Sequence, residues 1–161
     1  MNSVFSGYKF SVQERPDELF LSNVSVFVGE QLIYSGLKHG NKVKNKITIP
    51  SWIFKKKSYL IRFIRGFFDT DGCVYNKYGP YAQIQIKLAC EETVKSIRDA
   101  LIILRFNPTK IQRELYAGLY SWKVYLVRQD EIKRFFREIS PMNHKHQRRF
   151  KEIMAKRDKY L

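Results

Sequence analysis

The chain has 161 residues and a mass of 19.2 kDa, and 44% of its side chains are hydrophobic and 15% aromatic. That length and supply of apolar surface suit one compact domain with an elaboration, or a domain plus a short second module, and exclude disorder as the state of most of the chain. The 30 Lys+Arg stand against 15 Asp+Glu, a formal charge of +15 with a pI near 9.9, and self-repulsion of that size points to a polyanionic partner.

In chain order, residues 1–50 read as a β-rich extension. Leu21–Val28 partly alternates, and Gln31–Ser35 and Lys46–Ile49 are further short strand candidates. Ser35-Gly36 and His39-Gly40-Asn41 punctuate a basic loop, and Pro50 closes the segment. Ser51 is placed to cap a short turn over Trp52–Phe54, and Ser58 to open a helix from Tyr59 to about Phe68. Tyr59, Leu60, Ile61, Phe63, Ile64, Phe67 and Phe68 cover more than one stripe of that helix, which predicts burial on more than one side. Gly66 costs a helix roughly 1 kcal/mol relative to Ala. Its missing Cβ would let a second backbone approach closely.

After Gly72 the apolar period becomes 2. Cys73–Lys77 and Tyr81–Ala89 predict a hairpin about Tyr78-Gly79-Pro80, with Ala82, Ile84, Ile86 and Leu88 facing a core. Tyr75, Lys77, Tyr81, Gln83, Gln85 and Lys87 then face the other way. Glu91–Arg105 is a helix on Val94, Ile97, Leu101 and Leu104, ended by Asn107-Pro108. Lys110–Tyr116 and Ser121–Val127 form a second hairpin, with Trp122, Val124 and Leu126 inward and Ser121, Lys123 and Tyr125 outward. The facing of Lys110–Arg113 stays open, since Ile111 inward would turn Arg113 inward too. Asp130 would cap a helix to Ser140. Met142–Gln147 reads as a basic loop and Arg148–Tyr160 as a last helix. The expected architecture from Ser58 on is αββαββα(α), an α+β fold, with domains at 1–50 and 51–161.

The basicity is spread along the chain: residues 1–57 carry 9 basic and 4 acidic groups, the remainder 21 and 11. No apolar run approaches the roughly 18 residues needed to span a bilayer. Residues 1–7 lack the basic-then-apolar pattern of a leader, so an intracellular protein, in cytoplasm or an organelle matrix, with no membrane partner, is expected. Cys73 and Cys90 lie 17 positions apart with no C-x-x-C, against both a disulfide framework and structural zinc. His144 and His146 are two apart, which does not match a helical zinc pair.

The segment Asp69-Thr70-Asp71-Gly72 stands where the first helix gives way to a strand. Carboxylates at i and i+2 cannot share a helical face, so one is expected to close the helix end while the other projects. A carboxylate at a helix C-terminus is disfavoured by the dipole, and a divalent cation would relieve it. Hard cations such as Mg²⁺ take one or two carboxylates together with carbonyls, waters and phosphate oxygens. A calcium loop fails here, because its closing Glu would fall at Pro80. Taken alone, the tetrapeptide also fits two acids in a plain structural turn.

The nine residues Ile64-Arg65-Gly66-Phe67-Phe68-Asp69-Thr70-Asp71-Gly72 resemble the defining motif of the LAGLIDADG homing endonuclease family in its R-G-x-F-D-x-D-G form. Ile49-Pro50-Ser51-Trp52-Ile53-Phe54 is similar to the lead-in often seen before such motifs, and the downstream ββαββα order matches the family fold. The resemblance covers roughly residues 50–155, with a four-stranded antiparallel sheet forming a saddle.

The resemblance implies that Asp71 binds a catalytic divalent metal, Mg²⁺ or another such as Mn²⁺, and that Thr70 adds its backbone carbonyl. It implies that motif helices pack on each other through a face holding Tyr59, Phe63, Gly66 and Phe67. One motif per chain implies a homodimer cutting double-stranded DNA at a nearly palindromic site. The saddle would read the major groove with Tyr75, Lys77, Tyr81, Gln83, Gln85, Lys87, Ser121, Lys123 and Tyr125. Lys145, in the basic loop, is the candidate for stabilising charge in the transition state, beside the simpler reading that it only contacts phosphate. The competing readings are an RNA maturase or DNA-binding regulator on the same fold without cleavage, and a basic RNA-binding protein of unrelated ancestry. The first 50 residues would either extend the DNA footprint through Lys38, Lys42, Lys44 and Lys46 or brace the fold.

Overall fold

The computed structural model describes residues 7–15, 18–41 and 43–157. Two compact units divide between Gly40 and Asn41. In the first, β1 (Ser11–Arg15) and β2 (Glu18–Ser22) pair antiparallel, with Ser11 opposite Ser22 and Arg15 opposite Glu18. Helix α1 (Val26–Tyr34) follows, its first turn capped by Ser25, whose hydroxyl accepts the Val28 N–H at 3.4 Å. The strands expected within 21–28 and 31–35 are therefore corrected in part: the first stops at Ser22, and a helix replaces the rest. The alternation of Val24, Val26 and Val28 misled because Val24 and Val26 are exposed while Val28 is buried. Residues 46–49 form no strand either. Lys46 has φ 44°, which breaks extended backbone, and Ile49 plugs into the core of the second unit.

The first helical element of that second unit is a 3-10 turn (Ser51–Lys55) preceded by Pro50, and neither Ser51 nor Ser58 caps a helix by its side chain. Helix α2 spans Lys57–Asp71, so it runs three residues past the expected end and carries both acids of the motif. Strands β3 (Gly72–Tyr78) and β4 (Tyr81–Leu88) form the first hairpin. Helix α3 (Glu91–Ile103) leads to β5 (Gln112–Tyr116) and β6 (Leu119–Leu126). The second hairpin turns tightly on Ala117 (φ 49°) and Gly118 (φ 77°), the double positive φ of a two-residue turn matched to strand twist.

The sheet order is β3-β4-β6-β5, all antiparallel. The two hairpins meet through β4 and β6, with Ile84 opposite Leu126 and Ile86 opposite Val124. One sheet face buries Val74, Ala82, Ile84, Ile86, Val124 and Leu126 against Leu60, Ile64 and Phe68 of α2 and Val94, Ile97 and Leu101 of α3. Each such Val, Leu, Ile or Phe side chain contributes about 1.5–3 kcal/mol by leaving water. Helix α4 (Gln129–Glu138) adds Ile132 and Phe135, the latter edge-on to Phe68 at 5.0 Å. Asp130 lies inside its first turn, where its charge favours the helix dipole; Arg128 holds the cap position expected for Asp130.

Helix α5 is His144–Arg157, so the expected basic loop at 142–147 is mostly its first turn. Asn143 makes that start: its Oδ1 accepts the Lys145 N–H at 2.9 Å. His146, Phe150 and Ile153 at i, i+4 and i+7 form the inner stripe, and Phe150 stacks on Phe136 at 3.9 Å. A histidine in place of an aliphatic residue hid the first turn from apolar periodicity. The expected continuation to Tyr160 lies outside the described residues.

Charge follows the two units. Residues up to 40 carry 3 basic and 4 acidic groups, those from 41 on 27 and 11. The excess positive charge therefore belongs to the second unit, including the stretch with Lys44 and Lys46; Lys42 lies outside the described residues.

Candidate active site and nucleic-acid interface

At the foot of α2 the two carboxylates part company. Asp69 turns back to the protein: its carboxylate accepts the backbone N–H groups of Met142 and Asn143 at 3.0 Å. Its carbonyl accepts the Asn143 side-chain amide at 2.8 Å. This satisfies one helix-end carbonyl and fixes the start of α5. Asp71 is exposed, and its Oδ2 lies 2.7 Å from the Thr70 hydroxyl. That hydroxyl also lies 3.1 Å from the Phe67 carbonyl and 3.3 Å from that of Gly66, and its single proton serves one acceptor at a time. A hollow of ≈ 220 Å³ lined by Phe67, Leu88, Cys90 and Thr93 opens beside Asp71.

The rest of the motif is structural in distinct ways. Arg65 donates from Nε to the Ile139 carbonyl at 2.6 Å, tying α2 to the end of α4. At Gly72 a Cβ would stand 2.1 Å from a ring carbon of fully buried Phe68, so only glycine fits there. At Gly66 a Cβ would meet nothing within 4 Å. The face around it holds Tyr59, Phe63 and Phe67, all half-buried, with the Phe63 and Phe67 rings stacked at 6.1 Å. Burial of α2 is thus complete on the Leu60, Ile64, Phe68 side and partial on this one.

Lys145 is exposed in the first turn of α5, beside His144 and Arg148 on a basic surface. His146 turns the other way, its ring 4.7 Å from that of Phe68 and its Nδ1 enclosed without a partner. Burial pushes its pKa below the usual 6.5, and the Asp69 carboxylate opposes that shift.

On the sheet face away from the core, the polar side chains are linked across strands. Tyr75 donates from its hydroxyl to Gln83 Oε1 at 2.9 Å, and Gln85 donates to the Tyr125 hydroxyl at 3.0 Å. Burial raises the Tyr75 pKa. Lys77 lies 6.0 Å above the Tyr125 ring. Lys87 and Lys123, opposite each other on β4 and β6, both donate to Glu114 on β5. Tyr81 is exposed at the hairpin end opposite Tyr78.

Two of the outward residues are less available than alternation alone suggests: Gln83 is only 5% exposed, and the Ser121 hydroxyl is enclosed without a partner. Strand β5 resolves the open register, because Arg113 pairs with Trp122 and lies 4.8 Å over the Tyr120 ring, whereas Gln112 and Glu114 take the polar face.

A family model described as a LAGLIDADG-like domain matches residues 58–140, just over half of the chain. The chain belongs to the LAGLIDADG homing endonuclease family. No curated protein matches it. The match takes in the motif helix α2, the whole four-stranded sheet, α3 and α4. Members of this LAGLIDADG family are generally nucleases or maturase-like proteins that bind DNA and act as dimers or paired domains.

For a divalent cation, the LAGLIDADG helix end offers one exposed carboxylate, Asp71, and the last carbonyls of α2, which lack helical partners. These are hard oxygen donors and fit Mg²⁺ or Mn²⁺. Among the described residues no cluster of three or more His, Cys, Asp or Glu side chains is placed to hold a metal ion. No described helix is long and apolar enough to cross a membrane. Sequence reasoning missed Glu114, Asn143 and the inward role of His146. Only the register of β5 and the docking of α5 bring these residues to their places.

Proposed function

We propose that this chain is a divalent-metal-dependent, site-specific DNA endonuclease of the intron-homing type, acting inside the cell as a homodimer on a long, nearly palindromic site. The observation that carries the reading is the division between Asp69 and Asp71. One carboxylate is consumed in anchoring α5, while the other stands exposed at the same helix end without a structural task.

In this reading the Asp71 carboxylate and the Thr70 carbonyl would hold the cation, with the Thr70 hydroxyl orienting the carboxylate. A divalent cation such as Mg²⁺ or Mn²⁺ held there would supply an activated water and charge neutralisation for phosphodiester hydrolysis. Lys145 donates to the phosphate oxygens as charge builds on them. The paired surface is the α2 face of Tyr59, Phe63, Gly66 and Phe67, where Gly66 leaves room for a second helix and the aromatic rings are only half covered. That pairing would place two Asp71 side chains in one centre. Tyr75, Lys77, Tyr81, Gln83, Gln85, Lys87, Ser121, Lys123 and Tyr125 form the DNA-facing surface. Within it Tyr75 and Gln83 brace each other, and Lys77, Gln85, Lys87, Lys123 and Tyr125 are the candidates to reach base edges and phosphates.

The test is incubation of the protein and of Asp71→Asn with DNA carrying candidate intron-insertion junctions, with Mg²⁺ and then with EDTA. Double-strand cleavage that needs both Mg²⁺ and Asp71 supports the enzyme. Specific binding without cleavage under either condition overturns it in favour of a maturase or a DNA-binding regulator.

A further inference from the structure

Glu114 is out of place on a surface meant for a polyanion. A carboxylate facing phosphates is repelled, and Glu is depleted from such faces unless something there donates to it. Yet Glu114 sits on the polar face of β5 with one oxygen 2.7 Å from Lys87 Nζ and the other bonded to Lys123 Nζ. The two ammonium groups hold its pKa down at about 2, so it stays ionised across the working range.

The cluster is not closed. Each ammonium has three N–H donors and gives one to Glu114, and the carboxylate keeps acceptor capacity beyond the two bonds it receives. Lys87 is 44% and Glu114 39% exposed, and Lys123 keeps a smaller open fraction of 14%. Strand β5 lies outside β6, but the Glu114 carboxylate reaches back to bridge the two ammonium groups, so along the polar atoms Lys87 Nζ, the carboxylate and Lys123 Nζ the cluster presents donor, acceptor, donor.

We propose that Glu114 accepts a hydrogen bond from the exocyclic amino group of a base in the major groove, while Lys87 and Lys123 donate to the acceptors beside that group. Among base-pair edges the order acceptor, donor, acceptor belongs to adenine N7, adenine N6 and thymine O4, and the cytosine N4 amino group is the other donor of this kind. The inference rests on the DNA-facing reading of the sheet and adds to it a residue that determines specificity.

The experiment is a binding selection on a duplex library of randomised sequence, carried out with the wild-type chain, Glu114→Ala and Glu114→Gln. The wild type should demand an amino-bearing base at one position in each half-site. Selection of adenine identifies N6 and selection of cytosine identifies N4. E114A should lower discrimination there roughly 10- to 100-fold, leaving other positions as they were. E114Q, which keeps an acceptor oxygen, should retain part of it. If Glu114 only neutralises the lysines, both variants will tighten binding evenly over all sequences with preferences unchanged, and the proposal is overturned. A wild type that binds DNA with no base preference, or not at all, overturns the DNA-reading surface itself and this inference with it.

Discussion

Asp69 Oδ1 lies 3.0 Å from the backbone nitrogen of Asn143, 74 residues further along the chain, and the Asn143 side-chain amide returns a 2.8 Å bond to the Asp69 carbonyl. The C-terminus of the motif helix and the N-terminus of α5 are thereby locked together. Anionic Asp69 faces the positive end of α5, the favourable sense of the dipole. The same lock fixes the turn from which Lys145 projects, so the candidate catalytic lysine depends on an acid that is not a metal ligand.

The two acids of the motif should therefore fail in opposite ways. Asp69→Asn weakens charge-assisted bonds at a helix start and is expected to cost about 1–3 kcal/mol of stability. Asp71→Asn should leave the thermal midpoint nearly unchanged and remove cleavage. Melting curves and DNA cleavage measured on both variants check this; equal destabilisation by the two would refute the division of roles.

The two motif glycines should separate similarly. Gly72→Ala drives a Cβ into buried Phe68, and about 1–3 kcal/mol of destabilisation is expected in urea unfolding. Gly66→Ala meets nothing and should stabilise the helix by up to about 1 kcal/mol. Gly66→Leu should leave the monomer folded but weaken self-association, read by sedimentation equilibrium. Unaltered association in Gly66→Leu would remove this face as the dimer contact.

Acid should loosen the dock of α5 through His146. Burial lowers its pKa in the fold, against the Asp69 carboxylate and with help from the charges of Arg149 and Lys145. As pH falls the unfolded chain takes the proton first, near 6.5. Stability should thus be full above that value, decline below it, and level off once the folded pKa is passed. Unfolding midpoints across that range test the slope, and His146→Gln should flatten it.

Lys145→Ala should reduce cleavage about 100-fold or more while changing DNA affinity little, as expected for a group that acts on developing charge. Comparable losses in binding and cutting would make Lys145 a phosphate contact only.

The sequence by itself determined the α+β order, the sheet faces and the family, because period-2 and helical patterns and the R-G-F-F-D-T-D-G run are local properties. It also separated the roles of Asp69 and Asp71 in principle, since i and i+2 cannot share a helical face. Which acid turns inward was decided by Met142 and Asn143, whose backbone N–H groups arrive from the far end of the chain. Tertiary structure alone also placed Glu114 between two lysines, through the register of β5 on β6. It turned the expected basic loop into the first turn of α5, where buried His146 stands in a position that periodicity reads as polar. Residues 26–34 became a helix for a nearer reason: the Ser25 cap outweighed a valine alternation of which only Val28 is buried. Local pattern settles what an element is. Contacts between residues far apart in sequence settle which side chains it leaves free to do chemistry.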